Sequence, residues 1–492
     1  MDKQKQAKNV LIYMIPSLIS TILPLITFPI FTRILTKEDY GALALAQVYA
    51  VFVCGLTNFG MMTAYERNYF QYRSNAKKSS QLLFSTLAFI MFNSFCLGFF
   101  TYIFKSKISI FLMHSALFGN FILINLCANF FMRLKEFYLM YFRNSENAKS
   151  YSSYIFIESS INLLLSLYFV AYLRIGIIGL VYSSLISAGI IFLILSYKFI
   201  RNLSLSFSMS VLKESLIIAF PLTPKAFFGV IRNQFDKYML GFLSSMGMVG
   251  IYSIGQRIAA LIFTFMTSLD QVFIPQMYKI MFNHKKEDGE SIGRYLTPFA
   301  YVSIFIALLI SLFSEEVVSV LAPVSYHGAI DIVIIMSMYY GILFFGKVSG
   351  TQLVFMKKTH ISTLLVLSNV ILAIILNIFF ILRWGASGAA WAMFLTELAV
   401  GVASFKIAQH YYKISFERSK IGFIFLIFLI SSIITIVLRK VSVGYLPRLI
   451  VKIIILTIYF YFGVVIKVIS RKNYLLFKDV ILRRKTVPVS LN

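Results

Sequence analysis

Apolar runs of about 20 residues, the length that crosses a bilayer, recur along almost the whole chain, and the polar residues collect in short connections between them. The pattern predicts fourteen spans, over residues 10–32, 40–63, 81–104, 108–132, 151–173, 176–198, 214–236, 247–273, 295–322, 328–355, 361–382, 387–410, 421–438 and 445–468. An even number of spans puts both ends of the chain on one side of the membrane. This is the pattern of an all-α polytopic membrane protein.

The spans repeat. Shifted by 209 positions, Leu173-Arg174-x-Gly176-x-x-Gly179 falls on Leu382-Arg383-x-Gly385-x-x-Gly388, while Gly41 and Gln47 fall on Gly250 and Gln256, and Tyr182 falls on Trp391. Six spans per half in one orientation imply a parallel repeat about an axis along the membrane normal. The expected organisation is a six-helix bundle over 1–200, a second over 201–412, two extra helices over 413–470 and a basic tail over 471–492. The repeated glycines read as close helix packing and tight turns.

Prolines single out the first helix of each half: Pro16, Pro24 and Pro29 in span 1, and Pro221 and Pro224 in span 7. Each removes a backbone hydrogen bond and bends its helix. Interrupted helices at matching positions of two halves point to a transport site. The first helix of each half is therefore the candidate moving, cavity-lining element.

The stretch from Lys213 to Leu243 also carries charge. At 100° per residue, Lys225 and Arg232 lie about 20° apart around the helix, with Asp236 about 40° further on. A charge at mid-bilayer depth costs roughly 2.5–3.5 kcal/mol, so this stripe is expected to face a water-filled cavity. Arg232 and Asp236 have the i, i+4 spacing to neutralise each other when nothing is bound, and Lys237 reads as snorkelling to an interface. Arg257 in span 8 and Lys347 in span 10, between Gly346 and Gly350, are further lone cations. With Lys225 and Arg232 they make a candidate substrate-binding ring suited to an anionic cargo.

Composition narrows the function classes. The chain has 492 residues, of which 59% are hydrophobic and 13% charged, with mean hydropathy +0.82. A net charge of +27 would suit nucleic acid, but most of the Lys and Arg fall in loops on the N-terminal side, where they act as topology signals. Both termini are thus expected in the cytoplasm, with no nucleic-acid partner. Residues 314–331, with Glu315, Glu316 and no Lys or Arg, fit an outer loop. Cys54, Cys96 and Cys127 sit in apolar stretches without metal-ligand spacing and read as packing residues. The first apolar run lacks a small-residue cleavage site and reads as a span.

Acidic residues at membrane depth are few. Glu158, Asp270 and Glu397 are candidates for ion coupling, with a structural hydrogen-bond role as the alternative for each. Glu66 and Arg67, at the cytoplasmic end of span 2, are a candidate gate or loop salt bridge. Gly341, Gly346 and Lys347 nearly spell a phosphate-binding loop, but Val348 stands where Ser or Thr should hold magnesium and no strand precedes. His114, His284, His327, His360 and His410 are scattered, and no catalytic set is visible. The reading is a non-enzymatic transporter without a cofactor, coupled at most to a proton or sodium ion.

Several segments resemble a known family: Pro29, Thr32-Arg33-Ile34-Leu35, Tyr40-Gly41, Asn58-Phe59-Gly60, Asp236-Lys237-Tyr238-Met239-Leu240-Gly241 and Val249-Gly250-Ile251-Tyr252. Together with the repeat and the two extra helices, they resemble the Wzx-type polysaccharide flippases of the multidrug/oligosaccharidyl-lipid/polysaccharide superfamily, over nearly the whole chain. The resemblance implies a MATE-like fold of two pseudo-symmetric six-helix bundles plus two C-terminal helices, in the bacterial inner membrane. It implies transfer of an undecaprenyl-diphosphate-linked oligosaccharide repeat unit, of O-antigen or capsule type, to the outer leaflet by bundles rocking about a cationic cavity. The implied partners are that glycan and the lipid bilayer, with a polysaccharide polymerase and a chain-length regulator as candidate protein partners. Moving negative charge outward is favoured by about 2.3 kcal/mol per charge per 100 mV of inside-negative potential.

Three alternatives compete. A multidrug exporter of the same superfamily calls for acidic and aromatic linings, whereas the inferred lining is mainly positive. A membrane polysaccharide polymerase calls for a long external loop, and the external loops here are all short. A scaffold without transport leaves the bent helices and buried charges without a role.

Overall fold

The computed structural model describes residues 23–468, except 25, 73–74, 146, 204–205, 284–288 and 442. Among them every regular element is a helix. Helix α1 covers residues 26–34, followed by α2 (Lys37–Asn58), α3 (Met61–Tyr72), α4 (Ala76–Met113), α5 (Gly119–Asn144), α6 (Ala148–Ser166) and α7 (Ile178–Asn202). The second half holds α8 (Met209–Leu243), α9 (Met246–Asn283), α10 (Gly289–Leu312), α11 (Ser314–Leu321), α12 (Ala329–Phe355), α13 (Thr359–Tyr411), α14 (Arg418–Lys440) and α15 (Tyr445–Val465).

Among the described residues eleven helices are long and apolar enough to cross a membrane, and one of these, α13, is two arms that turn at Gly385. These are predicted spans 11 and 12. Helix α8, with its prolines and charges, is not among the eleven, and most of span 1 lies outside the described residues. The count of fourteen is therefore not reproduced as such, while the all-helical polytopic architecture is.

Local chemistry sets the boundaries. The Thr36 hydroxyl accepts from the Asp39 amide and the Asp39 carboxylate accepts from the Thr36 amide, a reciprocal cap that starts α2. Asn75 and Asn147 cap α4 and α6 through their side-chain oxygens. Predicted span 2 ends earlier than expected, because Phe59 (φ 44°) and Gly60 (φ 69°) both turn left-handed and α3 sets off anew. Helix α4 runs through Lys105 and Lys107, where the sequence suggested a loop. The Lys105 ammonium lies 5.0 Å from the Tyr102 ring and donates to Asn120 at 2.7 Å, and Lys107 lies over Phe104. Cation–π contact and an amide oxygen thus replace water around the two amines.

By contacts the chain forms two units. The first is Met1–Ser253 with Leu321–Ser325 and Asn377–Ala386, and the second is Ile254–Val320 with Tyr326–Leu376 and Ser387–Asn492. In the first, α3, α4, α5, α7 and α8 share an aromatic core. Tyr138 and Phe199 lie 4.7 Å apart there, and Tyr65 meets Phe137 edge to face at 5.6 Å. In lipid such packing works by dispersion and ring geometry, because burial from hydrocarbon gives no hydrophobic gain. In the second unit, Tyr301 and Tyr459 stack at 4.7 Å and each hydroxyl donates to the other's carbonyl, at 3.2 and 2.8 Å, tying α15 to α10.

Two pairs of glycines related by the 209-residue shift match in the structure, one in backbone conformation and the other in contacts. Gly176 and Gly385 both take positive φ, 75° and 54°. Within the first unit, a Cβ on Gly41 would strike the Met246 carbonyl, and a Cβ on Gly250 would strike the Lys37 carbonyl. Lys37 and Met246 are themselves related by the same shift. The first turns of α2 and α9 therefore cross backbone to backbone with reciprocal contacts. Beside them the Glu38 carboxylate adjoins Gly247, where it offsets the positive end of the α9 dipole.

Gly385→Ala is expected to cost about 1–3 kcal/mol, because a side chain is strained at that φ. A lower Tm of the purified protein is the readout, and an unchanged Tm would mean the turn relaxes freely.

Candidate functional site

Helices α9 and α12 run alongside each other in the second unit. A Cβ on Gly255 would press on Ile332, the rings of Phe263 and Tyr340 lie 6.0 Å apart, and the Lys347 ammonium stands 3.3 Å from Asp270 Oδ2. All three pairs have the same offset in residue number, so the two helices keep one register along the seam. The Lys347 ammonium also lies 5.6 Å from the Phe263 ring centre. Next to Lys347 in the chain, Gly346 faces α13, where Glu397 is buried, accepts from Asn369 at 3.1 Å, and has Oε1 at 3.6 Å from where a Cβ on Gly346 would stand. Small Gly346 leaves this space open. The result is a cation paired with one buried carboxylate, with a second buried carboxylate beside the neighbouring Gly346, at the depth where a lone charge is expensive.

The remaining candidates fall in both units. Lys225 and Arg232 belong to the first unit, while Arg257 and Lys347 belong to the second. The side chains of Lys225 and Pro224 lie outside the described residues, as does Pro16. Arg232 is half-buried on α8, and Arg257 is exposed with no ion pair among the described residues. Asp236 is fully buried, and its Oδ2 accepts from the Tyr252 hydroxyl of α9. That face of α8 is a packed contact, so the charged stripe does not run on to Asp236. Helix α8 stays helical through Pro221 and Pro224, so those prolines do not interrupt it. Pro221 and Pro24 are exposed.

Glu158 is paired with Lys135 of α5, a buried lysine that the sequence reading passed over. Glu66 pairs with Arg143 at 2.9 Å, across from α3 to α5, whereas Arg67 donates to Asn68 and Gln71 of its own helix. The expected Glu66–Arg67 couple is thus split, since neighbouring residues on a helix point about 100° apart. Beyond it, Tyr72 donates to Glu214 of α8, and burial together with that carboxylate pushes the phenol up to about 12. Among the described residues no His, Cys, Asp and Glu grouping suits a metal ion.

A family described as polysaccharide biosynthesis protein matches residues 6–281, more than half of the chain. The chain belongs to this family. Among curated proteins, this polysaccharide biosynthesis family member is 26% identical over 199 residues to the capsular polysaccharide biosynthesis protein CapF of Staphylococcus aureus, covering 38% of this chain and 47% of that one. It is 23% identical over 195 residues to the probable low-salt glycan biosynthesis flippase Agl15 of Haloferax volcanii, covering 39% and 41%. The matches thus span less than half the length of either relative. Among solved structures, the lipid II flippase MurJ in an inward closed conformation superposes with TM-score 0.71 at 16% identity, over 93% of this chain and 98% of that one. An inward-facing multidrug resistance MATE family transporter of the MOP superfamily gives 0.63 at 16%, over 85% and 98%. The fold expected from the sequence, MATE-like and all-helical, is the fold observed.

Sequence reasoning also missed a second charged cluster of this family member. Lys452, inside α15 and only 3% exposed at its side chain, reaches Glu316 at 2.6 Å and Glu315 at 3.7 Å. Arg448 meets Glu315 at 3.1 Å, and Arg439 of α14 meets Asp331 at 2.7 Å. Of these, Glu315, Arg439, Arg448 and Lys452 line a small cleft with Ser314 and Thr435. A lysine seven residues into the last span was the available signal, but its partners lie more than a hundred positions away.

Proposed function

We propose that this protein is a flippase that carries undecaprenyl-diphosphate-linked oligosaccharide repeat units, of O-antigen or capsule type, from the cytoplasmic to the outer leaflet. The route is alternating access through a cationic cavity, in a bacterial inner membrane with both termini cytoplasmic. The observation that carries the reading is the polysaccharide biosynthesis family match on a fold shared with a lipid II flippase over 93% of the chain. Lys347 adds chemistry to it. With 40% of its side chain exposed, its ammonium can meet a diphosphate oxygen in a charge-assisted hydrogen bond. Arg257, exposed on the same seam-forming helix α9, is the second candidate cation of that unit, and Lys225 and Arg232 are the candidates on α8. Coupling by the membrane potential alone or with a proton or sodium ion fits this scheme, as do a polymerase and a chain-length regulator that would take up the product.

The test compares a deletion, the wild type and Lys225→Ala, Arg232→Ala, Arg257→Ala and Lys347→Ala at matched membrane abundance, in cells that build the lipid-linked glycan. The leaflet that holds the intermediate is read together with surface glycan. The deletion is expected to trap the intermediate on the cytoplasmic side, and Lys347→Ala to lower surface glycan at least ten-fold. Normal crossing in the deletion would overturn the reading. A trapped deletion with normal charge variants would keep the flippase and remove the cationic site.

A further inference from the structure

Lys347 and Asp270 are unequal partners. Lys347 keeps 40% of its side chain exposed, against 9% for Asp270. Asp270 Oδ2 faces the ammonium, while Oδ1 is buried and accepts no hydrogen bond among the described residues. A structural ion pair at this depth would be expected to satisfy both oxygens. Here the carboxylate is held in place on α9 and half-used, and the ammonium is on a long flexible stem with open space on one side. In that same position the ammonium already lies 5.6 Å from the Phe263 ring centre, so a shift toward the ring face lets it leave the carboxylate without losing all compensation.

We propose that Asp270 is an internal competitor for the anionic headgroup. It neutralises Lys347 while the site is empty, yields the ammonium to a phosphate oxygen when substrate arrives, and takes it back to expel the product. The inference rests on the flippase reading and names Asp270 as a specificity-setting and release residue within it. The physical basis is a difference in acceptors. A diphosphate offers more charge and more oxygens than one carboxylate, and so wins the ammonium while bound. The cost of leaving Asp270 buried and unpaired then keeps the complex from becoming too tight to turn over. A neutral or cationic cargo has no means of displacing the carboxylate, so the pair also selects against it. Glu397 is not the competitor, because Asn369 already donates to it at 3.1 Å and it reaches past Gly346 rather than to the ammonium.

Binding of farnesyl diphosphate to the purified full-length protein, measured by calorimetry, tests this. Asp270→Asn is expected to bind at least ten-fold more tightly than wild type and, in cells, to flip the glycan more slowly at equal abundance. Lys347→Met is expected to bind at least ten-fold more weakly, and Lys347→Arg to bind within a few-fold of wild type. The exchange Asp270→Lys with Lys347→Asp keeps an ion pair, and therefore the fold, but hands the accessible end to the carboxylate; it is expected to lose binding at least ten-fold. A purely structural pair would leave the exchanged protein binding normally, and that result overturns the inference, as does Asp270→Asn binding that is unchanged or weaker. If wild-type protein ignores farnesyl diphosphate altogether, the anionic-headgroup reading fails and the inference with it. If wild type binds and Asp270→Asn makes no difference, only the inference fails.

Discussion

Lys452→Met is expected to destabilise the protein by about 3–5 kcal/mol, the range for breaking a buried ion pair by removing one partner. The lysine is 3% exposed and faces Glu316 with both carboxylate oxygens in reach, at 2.6 and 2.8 Å. Without it, Glu316 keeps, among the described residues, the Tyr445 hydroxyl at 3.3 Å, while Glu315 retains Arg448. The measurement is Tm in detergent together with the amount of folded protein in the membrane. Removing the charge on both sides, with Lys452→Met and Glu316→Leu, is expected to recover most of the loss, because well-packed apolar pairs replace buried ion pairs at little cost. A double variant as unstable as the single one would mean that the lysine acts by filling space. The Tyr301–Tyr459 hydrogen bonds would still hold α15 to α10, so the single variant should loosen the N-terminal end of α15 first.

What was legible in the sequence was what depends on neighbours along the chain. The apolar runs, the glycine pairs at a spacing of 209 and the turn at Gly385 follow from local length, size and φ, and most described helices overlap the runs that predict them, with α4 extending past its run and span 2 breaking into α2 and α3. Partners across helices were not legible. Lys135–Glu158, Lys347–Asp270 and Lys452–Glu316 join different helices, and pairing them requires the rotation of each helix, which packing decides. The stripe through Lys225, Arg232 and Asp236 shows the limit. Its angular arithmetic is sound, yet Asp236 turns into a packed contact with Tyr252. The left-handed break at Phe59 and Gly60 was obscured because apolar residues continue on both sides of it.

Gly250→Leu is expected to separate α2 from α9 at a cost of at least about 3 kcal/mol, the upper end for overpacking. The clash is with the Lys37 carbonyl, and backbone has no rotamer in which to escape. Gly41→Leu should have a similar effect through the Met246 carbonyl. The two together should cost less than their sum, because the gap opened by the first already holds the second. A short thiol cross-linker between Glu38→Cys and Gly247→Cys, in a chain freed of Cys54, Cys96 and Cys127, reads the contact directly. Efficient cross-linking with Gly250 and none with Gly250→Leu is the expected pair of results. Equal cross-linking in both would show that the crossing tolerates side chains.

The reciprocity of that crossing has a consequence for how such a chain could arise. Two copies of a half-length chain, facing each other across a two-fold axis, would meet through the same glycine and the same carbonyl of each copy. At this point the protein has the geometry that such a symmetric dimer would have, within one polypeptide. Neither glycine can acquire a side chain unless the opposite helix withdraws, so the two positions are bound to change together.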